Sequence, residues 1–319
     1  MAVRLALAGD TMLGRAVAAR LAADPGHELL APDLAAIARS ADLFLVNLEC
    51  CISDRGEPAY PRHRFHFRAP PVAAERLAAL GVACVQLANN HVLDFGSEAL
   101  RDTLDHLRSV GIATVGAGPD EAAARSPVVL VGGGLRVRVV AVTDDPPDYA
   151  AAPGRPGTAF ADLRRGVPAW LRERAAAGPG ADVSIVASHW GPNMRARPVE
   201  HVRLAAVALE AAGATLVAGT SAHVPQGPSG RTLFDLGDFV DDYATNRGLR
   251  NDLGLLWLIT LDTGGPLRVE GVPVKLEFAH TRLASDVEAM LLLALLEERC
   301  AAVGSSVRQE GRRLVFELG

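Results

Sequence analysis

Five short apolar segments of this chain each end near a polar residue that can bind a metal ion, and this repetition strongly constrains the fold. The segments are Val3 to Ala8 before Asp10, Leu43 to Val46 before Glu49, Val82 to Leu87 before Asn89-Asn90-His91, Val183 to Ala187 before His189, and Ala214 to Ala218 before His223. Each run is typical of a buried strand in a parallel sheet. Because the carboxyl ends of parallel strands form the ligand-binding crevice of α/β sheets, we expect these polar residues to converge. Carboxylates, a carboxamide and imidazoles together predict a transition-metal site with oxygen and nitrogen ligands.

Composition limits the classes of protein that this chain can represent. Its 319 residues are 49% hydrophobic and carry a formal charge of -5, which predicts a large core and no surface suited to duplex nucleic acid. Asp10 interrupts the first apolar stretch before it reaches the length of a secretory signal, and the run Ala289 to Leu296 is too short to span a membrane. The cysteines, Cys50, Cys51, Cys84 and Cys300, have no metal-knuckle spacing. We therefore expect a cytoplasmic protein with reduced thiols.

Strands and helices alternate along the chain, with short glycine and proline breaks between them. Helical spacing of apolar residues predicts helices over Gly14 to Ala23, Val72 to Leu80, Ser97 to Val110, Leu163 to Ala177, Val199 to Ala212 and Ala284 to Cys300. Further strands are predicted over Ala113 to Val115, Leu135 to Val142, Thr232 to Asp235, Gly254 to Leu261 and Leu267 to Leu276. This mixture indicates an α/β protein with two sheets packed together and helices outside them.

Seven sequence blocks in a fixed order carry a family resemblance. They are GDTMLGR (Gly9 to Arg15), NLE (Asn47 to Glu49), FHFRAPP (Phe65 to Pro71), LANNHVLDFG (Leu87 to Gly96), SHWG (Ser188 to Gly191), GTSAHVPQG (Gly219 to Gly227) and LGDF (Leu236 to Phe239). The chain resembles the CapA family of poly-γ-glutamate capsule synthesis, which is similar to calcineurin-like metallophosphoesterases. The resemblance implies a four-layer α-β-β-α sandwich and one domain over residues 1–319. The motif core would cover 9–239, and strands and a helix in 254–319 would complete the sandwich.

The resemblance also implies roles for individual residues and one or two divalent ions of manganese, iron or zinc. Asp10 and His223 would bind a first metal, Glu49 would bridge it to a second, Asn90 and His189 would bind that second metal, His91 would be the general acid, and Asp94 would orient His91. Arg15 and Arg68 would hold an anionic substrate, either a small molecule or a polymer. His66 joins this substrate-binding set because its segment is predicted to be extended. In an extended strand, His66 would point to the same side as Arg62, Arg64 and Arg68. That segment is equally compatible with an ordinary edge strand that carries charges on its outer face.

Three positions depart from the family pattern. Thr220 stands where many relatives have a histidine, Asn193 stands near the position of a glutamate, and Asp238 replaces an asparagine. Asp238 would add an acidic group that partly compensates for the loss at Thr220. The departures leave three outcomes open: a weaker second metal site, a single-metal enzyme, or an active site changed for a different reaction.

Two classes of function follow from these observations. One is a metal-dependent enzyme that hydrolyses a phosphoester or amide bond, or that assists the loss of phosphate or sulfate in a biosynthetic reaction. The other is a non-catalytic component of capsule or polyglutamate assembly that retains the fold. Taken alone, Asp10 could cap a helix and His189 could be a core imidazole. Five matching strand ends in family order favour the metal site and the enzyme.

Overall fold

A computed structural model describes residues 1–58, 65–242 and 245–318 of the chain. Eight α-helices lie in these residues: α1 Arg15–Ala23, α2 Pro32–Arg39, α3 Val72–Ala79, α4 Gly96–Ser109, α5 Glu121–Ala124, α6 Ala169–Ala175, α7 Glu200–Ala211 and α8 Asp286–Ala301. Short 3-10 helices cover Pro147–Tyr149 and Leu163–Arg165. No helix in the described ranges is long and apolar enough to cross a membrane.

The strands form two large sheets and two small pairs. The first ten are β1 Val3–Thr11, β2 Leu43–Leu48, β3 Cys51–Ile52, β4 Arg68–Ala69, β5 Val82–Gln86, β6 Ala113–Val115, β7 Ala117–Gly118, β8 Val128–Gly132, β9 Leu135–Thr143 and β10 Gly157–Thr158. The other ten are β11 Val183–His189, β12 Leu216–Thr220, β13 Pro228–Ser229, β14 Thr232–Leu233, β15 Asp238–Val240, β16 Leu253–Asp262, β17 Gly265–Glu277, β18 His280–Leu283, β19 Ser306–Glu310 and β20 Arg313–Glu317.

The larger sheet combines a parallel half with an antiparallel half. Its main order is β19-β20-β17-β16-β1-β2-β5-β6, and β15 and β18 pair with β1 and β17 respectively. Strands β1, β2, β5 and β6 are parallel, with Leu5 opposite Leu43 and Cys84 opposite Ala113. Strand β16 joins the parallel half by running antiparallel to β1. The carboxyl ends of β1, β2 and β5 therefore lie on the same edge.

The second sheet has the order β13-β14-β12-β11-β9-β8 and is parallel at its centre. In register, His189 at the end of β11 lies opposite Thr220 at the end of β12 and Thr143 at the end of β9. The second group of strand ends is thus aligned in the same way as the first.

Alternation along the strands divides the apolar residues between three main cores. Ala6 and Ala8 of β1 pack in a core with helices α1 to α4, whereas Leu5 and Leu7 belong to a core that contains residues of both sheets. The opposite face of the second sheet packs against α6 and α7. Because neighbouring residues of a strand point to opposite faces, one buried strand contributes to two cores. The predicted α/β sandwich with two packed sheets and outer helices is confirmed.

Helix α8 stabilises the C-terminal part of the inter-sheet core. Ser285 caps its amino terminus, and the side chain of Glu288 returns a hydrogen bond to the Ser285 backbone, which is a complete capping box. Leu292 and Leu296 of α8 are fully buried in the core shared by the two sheets. The predicted helix over Ala284 to Cys300 is confirmed apart from small shifts at both ends.

The predicted continuous helix over Leu163 to Ala177 is wrong. A 3-10 turn ends at Gly166, whose φ of 96° is a left-handed conformation that interrupts an α-helix. Pro168 then has an extended backbone, and α6 begins only after it. Residues preceding a proline are disfavoured in the helical region, which gives the physical reason for the break.

Candidate metal centre

The structure brings four of the expected metal ligands together at the ends of β1, β2, β11 and β12. Asp10, Glu49, His189 and His223 are each at most 6% exposed. Ligand atoms of Asp10, Glu49 and His189 all lie within 4.8 Å of one another, and so do those of Asp10, His223 and Asp238. The two groups share Asp10, so the site has the composition needed for two adjacent cations.

The His223 imidazole lies between two carboxylates. Its Nδ1 is 3.0 Å from Asp10 Oδ2 and 2.8 Å from Asp238 Oδ1. Burial opposes the charged imidazole, but the Asp238 and Asp10 carboxylates raise the pKa of His223 well above its usual value. In the absence of a metal, a proton on His223 therefore takes the place of a cation between these carboxylates.

Glu49 is a buried carboxylate without a hydrogen-bond donor among the described residues. Both oxygens are inaccessible and accept no hydrogen bond. Burial, followed by the charge of Asp10, raises the pKa of Glu49 well above its usual value. A buried carboxylate in this setting is costly unless a cation or a proton compensates it. The residue thus fits a divalent metal ion, and a metal bound here would satisfy both oxygens.

Thr220 contacts the side of the His189 ring that faces away from Glu49. His189 Nδ1 is 3.0 Å from the Thr220 hydroxyl, and its Nε2 is 3.7 Å from Glu49 Oε1. Burial lowers the pKa of His189 to about 4, against the opposing effect of Asp10. A neutral ring that donates its Nδ1 hydrogen to Thr220 leaves the Nε2 lone pair directed toward Glu49. Asn47 Nδ2 also lies 3.4 Å from His189 Nδ1, but Thr220 is the nearer partner, and its hydroxyl can accept this hydrogen.

Two asparagines extend the network around the carboxylates. Asn47 Nδ2 donates to Asp10 Oδ1 at 2.7 Å, and Asn89 Nδ2 donates to Asn47 Oδ1 at 3.0 Å. Asn90 has a different environment, because its Oδ1 is buried and accepts no hydrogen bond in the described part of the chain. Asn90 lines the same cavity as His189. A carboxamide oxygen without a donor is a suitable additional ligand for a cation next to His189.

His91 is held by Asp94 at the edge of this cluster. His91 Nδ1 lies 2.7 Å from Asp94 Oδ2, and the other ring nitrogen lies 4.0 Å from Glu49 Oε1. Asp94 also accepts hydrogen bonds from the Phe67 backbone at 2.8 Å and the Tyr149 hydroxyl at 3.3 Å. The Phe67 ring packs edge-on against the imidazole, with 4.6 Å between centroids. These contacts fix the ring so that Nε2 is on the side of the metal centre.

The backbone at the centre adopts uncommon conformations. Ser221 and His223 have φ values of 110° and 60°, although neither is a glycine. Such residues are uncommon and require support from the surrounding structure. At Gly9, a Cβ atom would come within 1.9 Å of the Gly237 carbonyl, so the chain before Asp10 needs a glycine. The sequence blocks around these positions thus satisfy backbone requirements as well as chemistry.

The three residues expected to bind substrate make contacts outside the cavity beside His189, although the Arg15 guanidinium also lies 5.7 Å from the ring of Phe67, which packs on His91. Arg15 Nε is 3.5 Å from Asp242 Oδ2, and the Arg15 guanidinium lies over Phe65. Arg68 donates to the Arg55 and Gly56 carbonyls and also covers the Phe95 ring, while His66 makes an edge contact with that ring. None of the three is among the residues of the chain described that line the cavity beside His189. Arg62, His63 and Arg64 of the same segment lie outside the described residues.

The cavity beside His189 has a volume of 380 Å³ and contains polar residues that the sequence analysis did not select. Its lining includes Asn90 and Ser221 near the carboxylate cluster, and also Asp144, Arg164 and His201. Asp144 directly follows the buried strand β9, so the rule that identified the other five strand ends could have found it. Asp238 was noticed only as a departure from the family, yet it contacts His223. No sequence pattern pointed to His201, which contacts Asp144 from a separate helix.

Comparisons with known proteins match this chain to bacterial capsule synthesis proteins. The family model "Bacterial capsule synthesis protein PGA_cap" matches residues 4–243. A "Probable polyglutamine synthesis accessory protein" of Mycobacterium tuberculosis is 34% identical over 278 residues, which are 81% of this chain and 72% of that protein. The "PGA biosynthesis protein CapA" of Bacillus subtilis is 26% identical over 75% of this chain and 63% of its own length. The "Capsule biosynthesis protein CapA" of Bacillus anthracis is 25% identical over 76% of this chain and 61% of its own length.

The matched region contains every strand end that contributes to the metal centre, from Asp10 to Asp238. It covers well over half of the chain, and the resemblance inferred from the seven sequence blocks is confirmed. The chain belongs to the CapA family of bacterial capsule synthesis proteins.

Proposed function

We propose that this protein is a metal-dependent enzyme of capsule or polyglutamate synthesis that acts on an anionic substrate. The reaction would be hydrolysis of a phosphoester or amide bond, or metal-assisted loss of phosphate or sulfate. The observation that carries the proposal is the Glu49 carboxylate, which is fully buried, accepts no hydrogen bond in the described ranges and lies beside Asp10 and His189. A purely structural role would not require such an uncompensated group.

Under this proposal, two sets of residues hold divalent cations. Asp10, His223 and Asp238 would hold one ion, and Glu49, His189 and Asn90 would hold a second. The family resemblance implies that Glu49 is shared between the ions, and Asp10 belongs to both groups of ligand atoms. Manganese, iron and zinc suit this mixture of oxygen and nitrogen donors. When bound, such an ion lowers the pKa of a bound water from ~15.7 toward ~7 and stabilises negative charge on the substrate.

His91 would donate a proton to the leaving group. Asp94 contacts Nδ1 and fixes the orientation of the ring, while Nε2 remains directed toward the centre. Phe67 and Tyr149 restrict the movement of this pair, because one packs on the imidazole and the other donates to Asp94. The substrate would occupy the cavity that His189 and Asn90 line.

The second candidate function is a non-catalytic part of polyglutamate assembly. The printed name of the Mycobacterium tuberculosis relative describes an accessory protein, which favours this alternative. The replacement of a family histidine by Thr220 agrees with it as well. The enzyme remains the better account because the His91–Asp94 pair and the buried Glu49 serve no evident purpose in a scaffold.

Steady-state kinetics of the metal-loaded protein test the enzyme proposal. The substrates are p-nitrophenyl phosphate and γ-glutamyl-p-nitroanilide, which represent phosphoester and amide chemistry, and vanadate serves as a competing anion. We expect slow turnover of at least one substrate, loss of turnover after chelation, and competitive inhibition by vanadate. Absence of both turnover and vanadate binding in a protein that contains metal would favour the assembly component.

A further inference from the structure

A second histidine–aspartate pair lies in the cavity beside His189. His201 Nε2 is 3.0 Å from Asp144 Oδ2. Asp144 is 6% exposed, and the Gly191 backbone donates to its two oxygens at 3.3 and 3.1 Å. Since Gly191 follows His189 by two residues, the loop directly after a candidate metal ligand also fixes this carboxylate.

His201 lines the cavity and contacts Asp144 through one of its two ring nitrogens. His201 lies in the first turn of α7, next to Val202, which is buried against the second sheet. Its side chain is 24% exposed, and no hydrogen bond to Nδ1 is found within residues 1–58, 65–242 and 245–318. An ionised Asp144 can only accept a hydrogen bond, so Nε2 carries the hydrogen. The Nδ1 lone pair is then available to a molecule in the cavity.

The two histidine–aspartate pairs use different ring nitrogens: His91 contacts Asp94 through Nδ1, whereas His201 contacts Asp144 through Nε2. His91 directs its outer nitrogen toward Glu49, with 4.0 Å between them, and is thus positioned next to the metal centre. The cavity that His201 lines also contains His189, Asn90 and Ser221, which border that centre. Under the proposed function, a substrate bound beside His189 and Asn90 would extend along the cavity that His201 also lines. A reaction that needs one proton removed and another supplied has a separate group for each step.

We propose that His201 is the general base of the reaction and that Asp144 is its positioning residue. This inference rests on the proposed function. In phosphoester hydrolysis, the attacking water forms the new O–P bond and gives its proton to His201 Nδ1, while the P–O bond to the leaving group breaks. The leaving oxygen takes a proton from His91. The products are phosphate and an alcohol, and solvent then removes the proton from His201 and restores the one on His91.

Two aryl phosphates distinguish a base from an acid. The metal-loaded wild type, His201→Gln and Asp144→Asn are assayed with p-nitrophenyl phosphate and phenyl phosphate, whose leaving groups differ in their need for a proton. We expect His201→Gln to lower kcat by roughly a hundredfold, equally for both esters, because the base acts on water. Asp144→Asn should give a smaller loss of the same form. Metal content of both variants should remain at the wild-type level. His106→Gln, at a partly exposed position of α4, is the matched control.

Several results would overturn the assignment. If His201→Gln turns over substrate as fast as the wild type, His201 takes no part in the reaction. A loss confined to phenyl phosphate would make it an acid, a rise in KM alone would make it a binding group, and loss of metal would make it part of the metal site. If the wild type hydrolyses neither ester, the proposed function fails instead. In that case, inorganic phosphate is titrated into metal-loaded protein to test whether His201 contacts an anion in the cavity. Equal affinities of the wild type and His201→Gln would refute this contact, and a several-fold weaker affinity of His201→Gln would support it.

Discussion

Thr220 illustrates how one residue affects the chemistry of another at this site. Its hydroxyl is the partner of His189 Nδ1 and lies 3.4 Å from the Ser188 carbonyl, to which it donates. The sequence comparison with the family treats Thr220 as the loss of a metal ligand. The structure adds a second feature, since the hydroxyl contacts Nδ1 of His189, a candidate metal ligand.

Removal of this hydroxyl should weaken metal binding without removing a ligand. Thr220→Val preserves the shape of the side chain but leaves the Nδ1 hydrogen of His189 without its acceptor. We expect metal affinity to fall by roughly 10- to 100-fold, the usual effect of losing a partner of a ligating histidine. Calorimetric titration of metal into the apo protein measures it, with Thr215→Val as the control at a buried threonine directly before β12. Equal affinity in Thr220→Val and the wild type would show that the hydroxyl has no such role.

His91 should matter for turnover much more than for metal binding. We expect His91→Ala to lower kcat by roughly two to four orders of magnitude, the range typical of a lost general acid. The loss should be greater for phenyl phosphate than for p-nitrophenyl phosphate, because the poorer leaving group needs the proton more. Kinetics with both esters and metal analysis of the same preparation measure this. Should His91→Ala empty the site, His91 is a ligand and another group is the acid.

At the scale of elements, strand ends were easier to predict than the connections between them. The apolar runs at Val3, Leu43, Val82 and Val183 were long enough to identify β1, β2, β5 and β11 directly. Helix α2 was missed, and the helix predicted from Leu163 was interrupted at Gly166. Side-chain pattern indicates which residues can be buried, but a left-handed glycine or the residue before a proline ends a helix through the backbone.

The antiparallel pair β16–β17 depends on an ion-pair cluster next to its first residue. Asp252 contacts Arg250 at 2.7 Å and also pairs with Lys275 of β17. Burial opposes ionisation of Asp252, but the hydrogen bonds from Arg250 and Lys275 lower its pKa from 3.8 to about 2. This stabilisation is complete above the usual carboxyl pKa near 3.8 and is lost as the pH falls through about 2.

We therefore expect Asp252→Asn to reduce the free energy of unfolding by about 1–2 kcal/mol at pH 7, a value discounted for partial solvent screening. The difference from the wild type should shrink as the pH falls from about 4 to 2. Urea unfolding at several pH values measures it. A deficit that does not change over this range would mean that packing, and not the charge of Asp252, causes the loss.

For the whole molecule, the sequence predicted the architecture and the central residues of the site better than the residues at the edge of the site. Asp10, Glu49, His189 and His223 were identified because each follows an apolar strand, and parallel strands place such residues on one edge. The contacts of Asp238 and His201 depend on how separate elements meet: β15 pairs with β1, and α7 lies near the end of β9. No local pattern carries this information. The substrate-binding role expected of Arg15 and Arg68 stays a prediction, because neither side chain lines the cavity beside His189.

Metal analysis of matched variants is the most direct measurement of the central claim. Wild type, Glu49→Gln and the exposed control Glu57→Gln are reconstituted with manganese, iron or zinc, freed of excess metal and analysed by mass spectrometry. Glu49→Gln keeps the size of the side chain and removes the charge that we expect two cations to share. The account predicts at least one ion per chain in the wild type and in Glu57→Gln, and a clear loss in Glu49→Gln. Equal metal in all three proteins, or none in the wild type, would contradict it.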